Sequence, residues 1–214
     1  MPPRKRTGQK LLRFDRSLDA RFVAGADEAG RGPLAGPLVV AGVLLDYRCL
    51  RDHRVRPLAL LNDSKQVDPE TRDELYRAVL SCAERVSVRV FPAAVIDRDG
   101  LHRCNLRGLR EVLWACQPAD ASLVDGFKLG PLAPPHRAVV DGDTKSAAIA
   151  AASIVAKVTR DRYMRTADAL YPGYGFASHV GYITPSHTKV VRERGPCEIH
   201  RRSWRSRAYD TAPV

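Results

Sequence analysis

The chain has 214 residues, 44% hydrophobic and 28% charged, which excludes a disulfide mini-protein, a collagen-like chain and a wholly disordered one. That length buries a sizeable core without staples and suits one large domain. Thirty-five Lys and Arg against 24 Asp and Glu leave a net charge of +11, and 28 of the basic residues are Arg, so a polyanionic partner is expected.

Residues 1–20 carry Arg4, Lys5, Arg6, Lys10 and Arg13 and read as a flexible basic leader. At Phe22-Val23-Ala24 an apolar run begins that ends in Asp27-Glu28; a second, Val-rich run covers 38–45, and Gly30-Arg31-Gly32-Pro33 breaks regular structure between them. The two runs read as adjacent strands joined by a Gly-rich loop. Asp68-Pro69-Glu70 opens a helix with an N-cap acid and Pro at the first position, and Leu75, Val79 and Ala83 share one face of it.

Val86-Ser87-Val88-Arg89-Val90 alternates as a strand does, and 101–116 carries Leu106, Leu109, Leu113 and Cys116 at helical spacing. Short strands are read at 121–125 and 138–141, both running into acids. A long helix covers 147–170, stopped by Pro172-Gly173, and a last helix covers 185–194. The expected fold is α/β: a mixed sheet flanked by helices in a single domain over 21–207, with further C-terminal helices and a tail at 208–214.

Five Cys, at 49, 82, 104, 116 and 197, form no C-x-x-C pair and read as reduced thiols. No apolar h-region follows the basic start, and the longest small-apolar run, 147–156, is about half a membrane span. A cytoplasmic protein with no membrane partner is expected.

Asp27, Glu28, Asp125 and Asp143 stand out because they fall at or near the ends of predicted strands, where open α/β sheets commonly bind ligands. Four carboxylates brought together repel one another, and hard divalent cations such as Mg²⁺ and Mn²⁺ relieve that repulsion. Two such ions can activate a water and stabilise the leaving oxygen of a phosphodiester. Neighbouring residues of a strand point to opposite faces, so Asp27 and Glu28 reach one site only if the strand ends there. Ordinary turn composition accounts for Asp27-Glu28-Ala29-Gly30-Arg31-Gly32 equally well.

Gly30 and Gly32 let main chain approach a ligand closely, and Arg31 is available to a phosphate, but the segment is neither a Walker loop nor a dinucleotide fingerprint. Ser64-Lys65 and Lys145-Ser146 are small donor clusters in predicted loops. Tyr182, between His179 and His187, could stack on a sugar or base or simply lie half in the core.

Taken in order, these segments resemble ribonuclease HII, the type 2 ribonuclease H family. The resemblance starts at Gly25-Ala26-Asp27-Glu28-Ala29-Gly30-Arg31-Gly32-Pro33 and continues through Asn62-Asp63-Ser64-Lys65, Val124-Asp125-Gly126 and Gly142-Asp143. It resumes in the Ala-rich segment from Ile149 through Lys157 to Asp161, then Tyr174-Gly175-Phe176, Gly181-Tyr182 and His200-Arg201-Arg202-Ser203, so that it spans residues 22–204.

The resemblance implies a ribonuclease H-like fold and a metal-dependent endonuclease. Its substrates would be RNA paired with DNA, and single ribonucleotides in duplex DNA cut on their 5′ side to leave 3′-hydroxyl and 5′-phosphate ends. It implies a role in ribonucleotide removal during replication and repair, and we expect a monomer. It places the metal-binding and catalytic carboxylates on Asp27, Glu28, Asp125 and Asp143, with Mn²⁺ or Mg²⁺ as cofactor. It places 2′-hydroxyl reading on Gly30, Arg31 and Gly32, junction stacking on Tyr182 and phosphate contact on Ser64 and Lys65.

Three positions depart from the pattern. Asp141 stands where a basic residue is expected and adds a fifth acid near Asp143; Val180 replaces a Lys before Gly181-Tyr182; Trp204 replaces a Phe. Two other readings compete. A different ribonuclease H-like nuclease, such as a junction resolvase, would share the acids but not need Gly30-Arg31-Gly32 with Tyr182. A non-catalytic RNA-binding protein would explain the charge but not the four acids.

Overall fold

A computed structural model of the chain describes residues 8–50, 58–61 and 67–209. In chain order its elements are α1 (Gly8–Arg16), β1 (Phe22–Ala29), β2 (Leu38–Asp46), α2 (Pro69–Cys82), β3 (Arg85–Phe91), α3 (Ala93–Asp99), α4 (Leu101–Ala115), β4 (Ala121–Asp125), β5 (Arg137–Val139), α5 (Ala147–Leu170), α6 (Phe176–His179) and α7 (Pro185–Arg194). Short 3₁₀ turns lie at Gly142–Thr144 and Arg207–Tyr209.

The five strands form one mixed sheet in the order β3-β2-β1-β4-β5. β1 pairs antiparallel with β2, and β2 with β3, whereas β1–β4 and β4–β5 are parallel. The α/β architecture read from the sequence is therefore present, and α2 has the expected cap: the Asp68 carboxylate accepts the Thr71 amide at 2.9 Å.

Alternation along the central strands divides the core in two. Val23 of β1 and Val39, Ala41, Val43 and Leu45 of β2 face α5, packing with Ile149, Ala152 and Val155. Ala24, Ala26, Val40 and Leu44 face α4, packing with Leu109, Val112 and Leu113. Gly25 lies on the α5 side, where an added Cβ would sit 2.1 Å from the Ala148 carbonyl carbon. Glycine in β1 and alanine in α5 thus let the helix run unusually close to the sheet.

The expected flexible leader is corrected from residue 8 onward. α1 buries Leu11 and Leu12 in the core. Its Asp15, fully buried, accepts the Ala148 amide at 2.9 Å and the Tyr47 hydroxyl at 2.7 Å, capping the start of α5. Basic residues alternate with apolar ones here, so an amphipathic helix is hidden behind an average that looks like a solvated tail.

The C-terminal elements fold back onto the loop between β1 and β2. The Gly36 amide donates to the Ile199 carbonyl, and the Leu34 amide to the Gly181 carbonyl. Phe176 and Met164 close a small cluster with Ala35 and Ile199. Among the described residues no helix is long and apolar enough to cross a membrane.

Candidate active site

β1 outruns its parallel neighbour. The β1–β4 ladder ends at the pair Ala26–Val124, while β1 stays paired to β2 as far as Ala29. Beyond Ala26 the β4-side edge of β1 is open, and Asp27 and Glu28 occupy that edge. The expected break in β1 is therefore not what lets both acids face one site. β4 stops instead, and Asp125 is its last residue.

Asp27, Glu28, Asp125 and Asp143 together line one cavity of about 250 Å³. The Asp27 carboxylate accepts the Glu28 amide at 2.7 Å and a hydrogen bond from Ser153 of α5. Glu28 accepts from Arg31 Nη1 at 3.2 Å. Asp125 Oδ1 accepts the Gly142 amide at 2.7 Å, which ties the end of β4 to the turn that carries Asp143. Asp141, the unexpected fifth acid, is exposed and lies outside the cavity lining.

Burial raises the Asp27 carboxyl well above the usual range, and the charges of Glu28 and Asp125 push it further. Burial raises Glu28 as well, opposed by the charge of Arg31. Asp27, Glu28 and Asp125 each hold a main-chain or side-chain partner. Among the described residues no three His, Cys, Asp or Glu already surround one point. The donor set is hard oxygen, and the charge is crowded in a way that divalent cations would relieve, so these residues fit Mg²⁺ or Mn²⁺.

The opposite wall is the loop after β1. Gly30, Arg31, Gly32 and Tyr182 line the same cavity as the acids. The two glycines differ. Gly30 has a φ of +96°, and a Cβ there would lie 2.3 Å from Arg160 Nε, so the fold itself excludes a side chain. Gly32 has no left-handed φ, and an added Cβ would meet only the Tyr182 ring, at 4.0 Å. Nothing among the described residues requires glycine at 32; the open space beside it belongs to the cavity.

Tyr182 is 38% exposed. Its main chain is fixed by a directed chain of hydrogen bonds. A carbonyl can only accept, so His187 Nδ1 carries the proton it gives to Tyr182 O at 2.9 Å. His187 Nε2 is then the acceptor from His200 Nε2, at 3.1 Å, and His200 Nδ1 accepts the Cys197 amide at 3.0 Å. Both imidazoles are thereby neutral, and burial pushes each down to about 4. His179 stacks on His187 with centroids 4.1 Å apart.

Of the site residues read from the sequence, eight come together here. Ser64 and Lys65 lie outside the described residues. Three cavity neighbours were missed. Ser153 and Lys157 sit about two and three turns into α5, with Lys157 Nζ 2.7 Å from Asp161. Asn105 of α4 is buried near Glu28 and favours its charged form without a hydrogen bond of standard geometry. A polar residue recurring within otherwise apolar helical faces was the available signal. A larger hollow of about 610 Å³ against α7, lined by Ile183, Thr184 and Lys189 among others, has no such carboxylate cluster, so donor chemistry rather than volume identifies the site.

The Ribonuclease HII family model matches residues 24–207. Ribonuclease HII of Nocardia farcinica is 49% identical over 185 residues, 86% of this chain and 72% of that protein. The Parafrankia enzyme of the same name is 44% identical over 213 residues, 98% of this chain and 87% of that one. Among solved structures, the PCNA:RNase HII complex from Archaeoglobus fulgidus matches with a TM-score of 0.74 and 26% identity, over 87% of this chain and 96% of that one. Ribonuclease H2 of Pyrococcus horikoshii matches with a TM-score of 0.71 and 26% identity, over 88% and 95%. A Bst-RNase HIII structure in complex with Mn²⁺, 21% identical with a TM-score of 0.62 over 90% and 67%, shares the fold. With the acids on an uncovered strand edge and a glycine loop facing them, this chain belongs to the ribonuclease HII family, hydrolases with metal-dependent ribonuclease H activity on RNA/DNA hybrids.

Proposed function

We propose that the cavity holds the junction between a deoxynucleotide and the ribonucleotide that follows it, and that the enzyme cuts 5′ of a single ribonucleotide in duplex DNA. The observation that carries this is Gly32, a glycine the fold does not need, opening onto the same cavity as the four acids. A backbone free of side chain there admits a ribose, and its amides and carbonyls can meet the 2′-hydroxyl, which both donates and accepts.

In this reading Asp27, Glu28, Asp125 and Asp143 hold the divalent cations, Mg²⁺ or Mn²⁺. Bound cations supply the activated water and the charge that stabilises the leaving oxygen. The acids set where the scissile phosphate lies, and the hydrogen bond from Ser153 aims Asp27 and favours its ionised form against the burial that opposes it. Arg31, 53% exposed, leaves Glu28 for a phosphate when substrate arrives. Tyr182 stacks at the junction, and Lys157, 5.8 Å from that ring, adds positive charge beside it. Water adds its oxygen to phosphorus and the P–O3′ bond breaks. The released O3′ takes a proton, giving 3′-hydroxyl and 5′-phosphate ends.

Ser64 and Lys65 contact the flanking phosphates, and the surplus of Arg binds duplex without regard to sequence. The protein acts as a cytoplasmic monomer in ribonucleotide removal during replication and repair.

The test is an end-labelled DNA duplex carrying one ribonucleotide, incubated with Mg²⁺, with Mn²⁺ and with chelator, beside an all-DNA duplex. A metal-dependent cut 5′ of the ribonucleotide and none in all-DNA is expected. Cleavage of a continuous hybrid without cleavage of the lone ribonucleotide would overturn the junction reading while leaving the family activity intact.

A further inference from the structure

Two of the largest fully buried side chains in the molecule are arginines: Arg160 of α5 and Arg201, which follows α7. Burying a guanidinium is costly unless its charge is paired and its donors are met. Neither arginine forms an ion pair with a carboxylate among the described residues. Asp161, next to Arg160, is taken by Lys157 at 2.7 Å and Arg72 at 3.5 Å.

The arginines meet main chain instead, all of it in residues 30–37. Arg201 donates to the carbonyls of Gly30 at 2.6 Å, Arg31 at 3.2 Å and Gly36 at 3.0 Å. Arg160 donates to those of Pro37 and Ala35, each at 3.0 Å. Five carbonyls of one loop are thus turned inward onto two cations. Gly30 and Gly36 both have left-handed φ; a Cβ on Gly30 would lie 2.3 Å from Arg160 Nε, and one on Gly36 would lie 2.2 Å from Met164 Sδ and 3.3 Å from Arg160 Nη2. The same guanidinium lies 5.5 Å from the Tyr182 ring.

We propose that Arg160 and Arg201 are positioning residues for ribose recognition: a buried pair of guanidiniums that grips the carbonyls of residues 30–37 from behind and so fixes which way Gly30-Arg31-Gly32 presents its backbone to the cavity. The proposal rests on the reading that this loop meets the 2′-hydroxyl. Neither arginine lines the cavity with the acids. Lysine keeps the charge but has one compact donor group, which cannot span the three carbonyls that Arg201 bridges.

The experiment is single-turnover cleavage with excess enzyme, well below each variant's Tm. Two substrates are used: a DNA duplex with one ribonucleotide and a continuous RNA/DNA hybrid. Arg201→Lys and Arg160→Lys are compared with wild type, and Arg201→Gly is run with and without added guanidinium. A misplacement near 1 Å costs about 100-fold in rate, so the lone ribonucleotide should be cut about 100-fold more slowly by Arg201→Lys. The hybrid, which offers a 2′-hydroxyl in every register, should lose less. The metal concentration for half-maximal rate should not move, and guanidinium should restore Arg201→Gly.

Equal losses on both substrates, with rate constants intact and only the active fraction reduced, would show a merely structural role and overturn the proposal. A shifted metal requirement would do so too, by placing the effect on the acids. If wild type cuts the hybrid but not the lone ribonucleotide, the junction reading itself fails and the proposal with it; that failure appears before any substitution is made. Should Arg201→Gly not fold, the two Lys variants decide the matter through the substrate ratio.

Discussion

One wall of the cavity is made of side chains and the other of main chain. Asp27, Glu28 and Asp125 are aimed by the sheet: strand parity and the early end of β4 decide where their carboxylates go. Residues 30–32 have no such frame. The Gly30 and Arg31 carbonyls are held by Arg201, and the rest of the loop, residues 34–37, by Arg160, the Gly181 carbonyl and the C-terminal segment around Ile199. The acids gain nothing for the fold from being together, since burial and mutual repulsion oppose their charge. The loop wall is the reverse, because its contacts are also packing contacts. The same cavity therefore has one wall where function opposes stability and one where the two are tied.

Substituting the acid wall should separate the two quantities most widely. Asp27→Asn should lower cleavage by about 1000-fold or more, the equivalent of several kcal/mol of lost cation-dependent stabilisation. Thermal unfolding of the same variant should show a Tm unchanged or raised by about 2–4 °C, as expected for roughly 1 kcal/mol of relieved repulsion in a chain of this size. A marked fall in Tm would mean that Asp27 also supports the fold.

On the loop wall, two alanines should give opposite results. Gly30→Ala forces a Cβ into Arg160 at a left-handed φ and should cost about 2–4 kcal/mol, read by denaturant unfolding. Gly32→Ala should leave stability within about 0.5 kcal/mol yet slow cleavage of a lone ribonucleotide by about 100-fold. Similar stability losses in both would erase the distinction between a glycine required by the fold and one required by substrate.

The histidines behind Tyr182 give the loop wall a pH limit that the acids do not share. His187 and His200 are neutral when folded, with values near 4, against about 6.5 when unfolded. The unfolded chain therefore binds protons first as pH falls. Their contribution is present above about pH 6.5 and is lost on the way down to about pH 4, on the order of a few kcal/mol for the pair. Tm measured across that window should fall more steeply in wild type than in His187→Gln, whose side chain does not titrate. Parallel curves would remove the histidines from the account.

The smallest effect should come from behind the acid wall. Asp15→Ala deprives the start of α5 of its acceptor and should cost about 1–2 kcal/mol in chemical denaturation, with cleavage per folded molecule preserved. A loss of cleavage beyond the loss of folded protein would show that α1 sets the position of Ser153 and Asp27.

Much of this was legible before any coordinates. The chain's signals for α2, α4, β4, α5 and α7 are local: the Asp68-Pro69 cap, period-3.6 apolar spacing, and Pro172-Gly173 as a stop. The acids were found because they are polar residues where apolar runs end, and the glycines because they interrupt those runs. α1 reads as part of a basic leader because Lys10, Arg13 and Arg16 dominate its short sequence: an amphipathic helix shows itself only once Leu11, Leu12 and Asp15 have a core and a helix end to meet.

By itself the sequence determined which residues carry chemistry and what kind: hard oxygen donors, a glycine loop, a basic surface. The tertiary structure alone decided how Asp27 and Glu28 share a site, since that depends on the β1–β4 ladder stopping three residues before the β1–β2 ladder does. It alone decided that Gly30 serves the fold while Gly32 is left open, and that Arg160 and Arg201, unremarkable in a sequence of 28 arginines, are the two buried among the described residues. Residue type and local pattern are written along the chain, whereas strand ends, close approaches and the burial of a charge are relations between segments 98 to 171 residues apart, which exist only once the chain has packed.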